Sequence, residues 1–172
     1  MTRIRAARAD DAQAIRDVTD AAFGGSEESA LIDRLQQDGL VEVSLVAVED
    51  GEIVGHIIFS TLEITDLEHN NPIRAVSLAP MAVAPTHQRL GIGSALIHQG
   101  IEKCKELGIE AIVVVGHADY YPRFGFSAHL AKCLKSPFSG HFFMVKPLKE
   151  GIFDEFSGIV IYPSAFEPLS HR

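Results

Sequence analysis

"HQRLGIGSAL", residues 87–96, stands between an apolar run and a stretch of helical periodicity. Two glycines one residue apart at a strand-to-helix junction bring backbone close to a phosphate, or else permit tight packing or a turn. The flanks narrow the choice. A dinucleotide fingerprint needs a third glycine where this chain has Leu96, and an acid near residue 113, where it reads Val-Val-Val. A Walker loop needs Gly-Lys-Ser/Thr, a tripeptide the chain lacks. What remains, Gln88-Arg89-Leu90-Gly91-Ile92-Gly93, is a turn of free N–H groups opening into a helix. Such a turn binds an anion through orphan donors and the helix dipole, with little need of cations. It suits a pyrophosphate. Arg89 and His87 either add local positive charge or are solvated surface residues.

Downstream, Ile92, Leu96, Ile97, Ile101, Cys104 and Leu107 recur at helical spacing as far as Gly108, and "EAIVVVGH" follows as a buried strand. Upstream, "IRAVSLAPMAV" reads as a strand interrupted by Pro80, which donates no N–H, so a bulge or lost pairing is expected near residues 79 to 81. Residues 76–115 therefore form one βαβ unit with a parallel pair. Further back, "VSLVAVEDGEIVGHIIFSTLEI" is two β-branched runs joined at Asp50-Gly51, a hairpin dipeptide. Two amphipathic helices precede it. The first has Asp10 or Asp11 as N-cap and Ala12, Ile15, Val18, Ala22 and Phe23 on one face. The second runs from a Ser26 cap to Gly39 with Leu31, Ile32 and Leu35 inward. After Ala131, "HFFMVKPL" and "SGIVIYPSAF" are strand candidates, with a helical or irregular "KEGIFDEF" between them. The order of elements gives an α/β or α+β mixed sheet with helices on its faces, in a single domain over residues 1–172.

With 172 residues, 47% hydrophobic and 22% charged, the chain has the composition of a globular protein with one core. Its longest apolar run is far short of the roughly 20 residues of a membrane span, and the N-terminus lacks the apolar stretch of a secretory signal. A cytoplasmic protein with no membrane partner is expected. The net charge of −8 repels polyanions, which argues against nucleic acid. Cys104 and Cys133 have no metal-ligand spacing; Cys104 is read as a packed hydrophobe, with a reactive thiol as the alternative.

The pattern Gln/Arg-x-x-Gly-x-Gly/Ala at the head of a helix, here Gln88 to Gly93, resembles the acyl-CoA signature of the GCN5-related N-acetyltransferases (GNAT). "LAPMAVAP" resembles that family's bulged fourth strand, and "YYPRFGF" at 120–126 its aromatic segment after the fifth. "GHADYYPRFGF" is most similar to a bacterial subgroup of predicted acetyltransferases. The resemblance covers residues 3 to 145. It implies a GNAT-like fold whose fourth and fifth strands splay, so that strand-edge groups pair with a pantetheine arm like an extra strand. By the same resemblance, the backbones of Met81, Ala82 and Val83 meet pantetheine, and the turn Gln88, Arg89, Leu90, Gly91, Ile92, Gly93 and Ser94 holds the pyrophosphate. Acetyl-CoA is the implied cosubstrate, with no metal.

The implied reaction is attack of a primary amine, of a small molecule or a protein, on the acetyl thioester. An oxyanion donor near Met81 or Ala82 follows from the family. A base or water chain must deprotonate an ammonium of pKa about 10.4. Tyr121 matches the residue that assists the departing thiolate; packing is its alternative role, and Tyr120 competes with it. His117 is the candidate base, with Glu63 and Asp119 as alternatives, while His56 reads as a satisfied sheet residue. Glu27 and Glu28 attract a cationic acceptor or belong to a solvated first turn. A CoA-binding sensor without turnover is the competing function. Edge strands near the C-terminus leave room for a homodimer.

Overall fold

The computed structural model describes residues 2–69, 71–138 and 142–170. In chain order the elements are β1 (Arg3–Ala6), α1 (Ala12–Phe23), α2 (Glu27–Gln37), β2 (Val41–Glu49), β3 (Glu52–Asp66), β4 (Pro72–Val83), α3 (Ile92–Glu106), β5 (Ala111–Val115), β6 (Leu134–Lys135), β7 (Phe143–Pro147), β8 (Gly158–Ile161) and α4 (Glu167–Ser170). They pack as two compact units. The first comprises Met1–Ser60 with Ala79–Cys104, the second Thr61–Leu78 with Lys105–Arg172. The long strands β3 and β4 contribute residues to both.

In the first unit β1 and β3 flank β2 in antiparallel pairing. Asp50 and Gly51 carry φ of 51° and 79°, the twin positive values of the tight hairpin their sequence predicts. α1 turns Ile15 and α2 turns Ile32 onto Val46 and Ile58 of the sheet. A fully buried side chain of this kind contributes about 1.5–3 kcal/mol. α3 lies on β3 because Gly55 has no side chain: a Cβ there would stand 3.1 Å from Leu96 Cδ1 and 3.2 Å from Ile92 Cγ2. That close approach seats the first turns of α3, which hold Gly93 and directly follow Gly91.

In the second unit β4 and β5 are parallel, with Ala75↔Ala111, Val76↔Ile112 and Ser77↔Val113 in register. β7 pairs antiparallel with β5 on its other side. β8 pairs antiparallel with the end of β3 and parallel with β6. Ile64, Ile73, Val113, Phe143, Val145 and Val160 belong to one apolar cluster here. The expected mixed sheet is present, mostly antiparallel, and β4, α3 and β5 follow as the βαβ order predicts.

β1 has no strong strand signature in sequence; its Arg-Ile alternation forms a strand through nonlocal pairing with β2. Three local expectations differ from the structure. Asp11 does not cap α1 with its side chain. Its carboxylate instead takes two hydrogen bonds from the Arg5 guanidinium, at 2.7 and 3.0 Å, and one from the Arg8 N–H at 2.7 Å. Phe23 and Leu107 are 46% and 42% exposed, so the apolar stripes of α1 and α3 stop short of the helix ends. "SAF" at 164–166 is a 3-10 turn rather than the end of a strand, because Pro163 cannot continue the ladder.

The Arg5 guanidinium first, and then the Arg8 N–H, hold the Asp11 carboxyl at about 2 against the opposing effect of burial. A depressed carboxylate contributes stability that is present above its ordinary value of 3.8 and is lost as pH falls through about 2. Asp11→Asn is expected to lower the melting temperature at neutral pH and to flatten the acid limb of the stability profile across that window. Thermal unfolding measured from pH 7 down to pH 2 checks it; parallel acid limbs in both proteins would contradict it.

Candidate acyl-carrier and catalytic site

In the first unit the candidate residues form one continuous stretch. Ala82 is buried, Met81 and Val83 are half-buried, and all three lie on β4 beyond Ser77, the last residue in register with β5. Pro80, just before them, has no N–H for a ladder. A 3-10 turn, Pro85–His87, leads into Gln88 in extended conformation. Arg89 then adopts φ +66° and Gly91 φ +84°, with Leu90 between them 68% exposed. Ala95 N–H donates to Gly91 O at 3.0 Å, so the N–H groups of Ile92, Gly93 and Ser94 open α3 without an acceptor inside the helix.

This backbone suits an anion. Left-handed residues in a turn gather N–H groups into an anion-binding concavity, and the helix terminus adds its partial positive charge. A Cβ at Gly91 would meet nothing within 4 Å, so the positive φ, and not crowding by the protein, selects glycine. Arg89 is exposed and forms no ion pair with a carboxylate among the described residues. Gln88 Nε2 donates back to Val83 O at 3.0 Å and folds the entrance of the turn onto the strand end.

In the second unit β5 delivers His117 and Tyr121. His117 O accepts from Tyr120 N at 3.1 Å and Tyr121 N at 3.3 Å, so a single tight turn links the backbones of the two candidate catalytic residues. Gly116 makes room for the Tyr121 ring, whose edge occupies the space that a side chain at 116 would fill. Edge-to-face contacts with Tyr120 at 5.1 Å and Phe126 at 5.7 Å hold that ring. Burial, and then the neighbouring Tyr120, push the Tyr121 hydroxyl up to about 12. It is a neutral phenol at pH 7, and it makes no hydrogen bond among the described residues.

The competing candidates have other contacts. Tyr120 lies beneath the Arg123 guanidinium, 5.0 Å from its ring centre, and packs edge-on against Phe124. His117 and Asp119 are exposed. Glu63, exposed on β3, accepts from Thr65 Oγ1 at 3.2 Å. His56 is buried on β3 with Nε2 2.8 Å from Ser44 Oγ, but its Nδ1 has no partner among the described residues, so it is only half satisfied. Burial pulls it down to about 4, which keeps it neutral at pH 7. Cys104 is fully buried, and burial followed by the charge of Glu42 pushes its thiol up to about 12, the behaviour of an unreactive packed residue. Among the described residues no three His, Cys, Asp or Glu side chains meet as metal ligands do, and no helix is long and apolar enough to cross a membrane.

One contact near the turn has no local signature. His87 Nε2 lies 2.8 Å from Glu49 Oε2, at the end of the β2–β3 hairpin. Glu49 reads in sequence as an ordinary strand-end acid, and only the pairing of distant segments brings it here.

Residues 3–129 match a family model described as an acetyltransferase (GNAT) domain. Among curated relatives, an uncharacterized N-acetyltransferase of Escherichia coli K12, YjhQ, is 42% identical over 118 residues, 67% of this chain and 64% of that protein. The matched segment thus spans just under two-thirds of YjhQ. A second, the uncharacterized N-acetyltransferase YhbS of the same organism, is 28% identical over 91% of this chain and 93% of its own length. The crystal structure of E. coli YhbS in complex with CoA superposes with a TM-score of 0.86 at 27% identity, over 96% of this chain and 92% of that one. A GNAT family acetyltransferase from Brucella melitensis in complex with acetyl-CoA gives 0.78 at 32% identity, over 96% and 98%.

Proposed function

The chain belongs to the GNAT acetyltransferase family, and we propose that it transfers the acetyl group of acetyl-CoA to a primary amine of a small molecule or a protein. The observation that carries this reading is the turn Gln88–Ser94, whose left-handed residues lead directly into the N-terminus of α3, a backbone that suits a pyrophosphate. The edge of β4 at Met81 and Val83, out of register with β5, suits pantetheine. An N–H near Met81 or Ala82 serves the oxyanion. Two relatives solved with CoA or acetyl-CoA support the same cosubstrate.

The nitrogen attacks the acetyl carbon as a neutral amine, and the C–S bond then breaks. Deprotonating an ammonium of pKa about 10.4 at pH 7 costs about 4.6 kcal/mol, which sets the task of a base. His117, exposed at the end of β5, takes that proton directly or through water. Tyr121 serves the leaving sulfur. With its hydroxyl at about 12, complete proton transfer to a thiolate of pKa about 8.5 runs uphill by about 5 kcal/mol. Its role is therefore a hydrogen bond to developing charge, and the proton on the released thiol comes from solvent.

Arg89→Ala isolates the side chain from the turn, because alanine inherits the same strained φ. An exposed, screened guanidinium contributes about 1 kcal/mol or less, so the CoA dissociation constant is expected to rise about fivefold or less in a calorimetric titration. A loss of several kcal/mol would assign the phosphate to the side chain and not to the amides.

The reading is tested by titrating the protein with acetyl-CoA, ATP and NADH and then offering amines. Binding of acetyl-CoA alone, with thiol released only when an amine is present, is the outcome it requires. Tighter binding of ATP or NADH would overturn it.

A further inference from the structure

The segment entering the phosphate turn is tied to the β2–β3 hairpin at two places. Ala84 N–H donates to Val54 O at 2.8 Å, and His87 Nε2 meets Glu49 Oε2 at 2.8 Å. His87 Nδ1 lies 2.8 Å from Thr86 Oγ1, and Thr2 Oγ1 donates to Glu49 Oε1 at 3.2 Å. Since a carboxylate only accepts, one neutral tautomer satisfies both ring nitrogens: Nε2–H donates to Glu49 and Nδ1 accepts from the Thr86 hydroxyl. Both partners of the Glu49–His87 contact are 28% exposed, so solvent only partly screens it. Beyond His87 the chain runs through four exposed residues, Gln88 to Gly91, before α3 takes hold.

We propose that Glu49 and His87 form a positioning pair for the phosphate turn, an inference that rests on the CoA reading above. Neither touches the reacting atoms. His87 fixes the point at which the chain leaves the hairpin, and hence the direction in which the N–H groups of the turn face. It also engages a carboxylate oxygen, Glu49 Oε2, that would otherwise turn an unneutralised charge toward a polyanion. Removing His87 alone therefore does two harmful things: it loosens the turn, and it leaves the Glu49 carboxylate held by the Thr2 hydroxyl alone. Removing Glu49 as well cancels the second, so the two substitutions are not independent.

The test is a double-mutant cycle on CoA affinity, read by calorimetry on the full chain, with melting temperatures measured in parallel. His87→Ala is expected to weaken CoA about tenfold. His87→Gln, whose amide can still donate to Glu49, is expected to recover most of that loss. The His87→Ala/Glu49→Gln double variant is expected to bind at least about threefold better than the product of the single effects allows, a coupling on the scale of contacting residues. Multiplicative effects, or lower melting temperatures with CoA affinity intact, would overturn the pair as a positioning element and leave the CoA reading standing. Failure of the wild-type protein to bind CoA would overturn both.

Discussion

Tyr121→Phe is expected to lower acetyl transfer about 100-fold or more while leaving CoA affinity within about twofold. The substitution removes one hydroxyl and keeps the ring, so the packing against Gly116, Tyr120 and Phe126 survives. What is lost is a donor made useful by its surroundings. A buried phenol held near 12 is neutral at every working pH, and it has no competing partner among the described residues. A hydrogen bond that strengthens only as charge develops on sulfur acts on turnover and not on ground-state binding, which gives the split between the two measurements. The scale is that of losing one preorganised hydrogen-bond donor to developing charge. Tyr120→Phe should cost much less, since that ring is engaged by Arg123 and Phe124. Steady-state kinetics of both variants, with CoA binding measured separately, decide the matter. Full turnover in Tyr121→Phe would leave the thiolate to depart unassisted; weaker binding with unchanged turnover would make Tyr121 a contact to the carrier only.

Gly91→Val is expected to abolish stabilisation by CoA. In the wild-type protein a ligand at about 100 times its dissociation constant adds roughly 2.7 kcal/mol, visible as a rise in melting temperature. At φ +84° a β-branched residue is strained by about 1–2 kcal/mol, and it either distorts the turn or projects a side chain into the space beside the amides. Because a Cβ there meets no protein atom within 4 Å, the free protein should still fold, with a modest loss of stability. Two effects are thus separable: a lower melting temperature without ligand, and no response to CoA. A variant that shifts with CoA as the wild type does would show that the phosphate binds elsewhere.

Where neighbours in sequence are neighbours in space, the residues themselves revealed the fold. Asp50-Gly51, the α3 stripe from Ile92 to Cys104, and Gly91 each depend on local backbone conformation, and each was readable. Pro80 flagged a stretch of β4 that lies beyond Ser77, the last residue in register with β5, although the strand itself runs on to Val83. Contacts made across the fold were not readable. Asp11 looks like a helix cap until Arg5 arrives from β1, and β1 is a strand only because β2 lies beside it. Tyr121 could be placed in the motif, but its burial against Gly116 depends on how a turn folds back. Glu49 carried no signature at all, because its partner His87 belongs to another element. The acceptor amine is unreadable for a related reason. Its recognition would rest on loops and chain ends, whose residues follow no periodic pattern.

The most informative measurement is a single turnover: protein loaded with an equal amount of acetyl-CoA, mixed with each of a panel of primary amines, with free thiol and N-acetyl product both counted by mass spectrometry. Acetyl transfer predicts equal amounts of thiol and amide with at least one amine, and neither when amine is omitted. Acetyl-CoA that stays bound and intact with every amine would contradict it and leave a CoA-binding sensor, and thiol released without amide would mean that water, not an amine, is the acceptor.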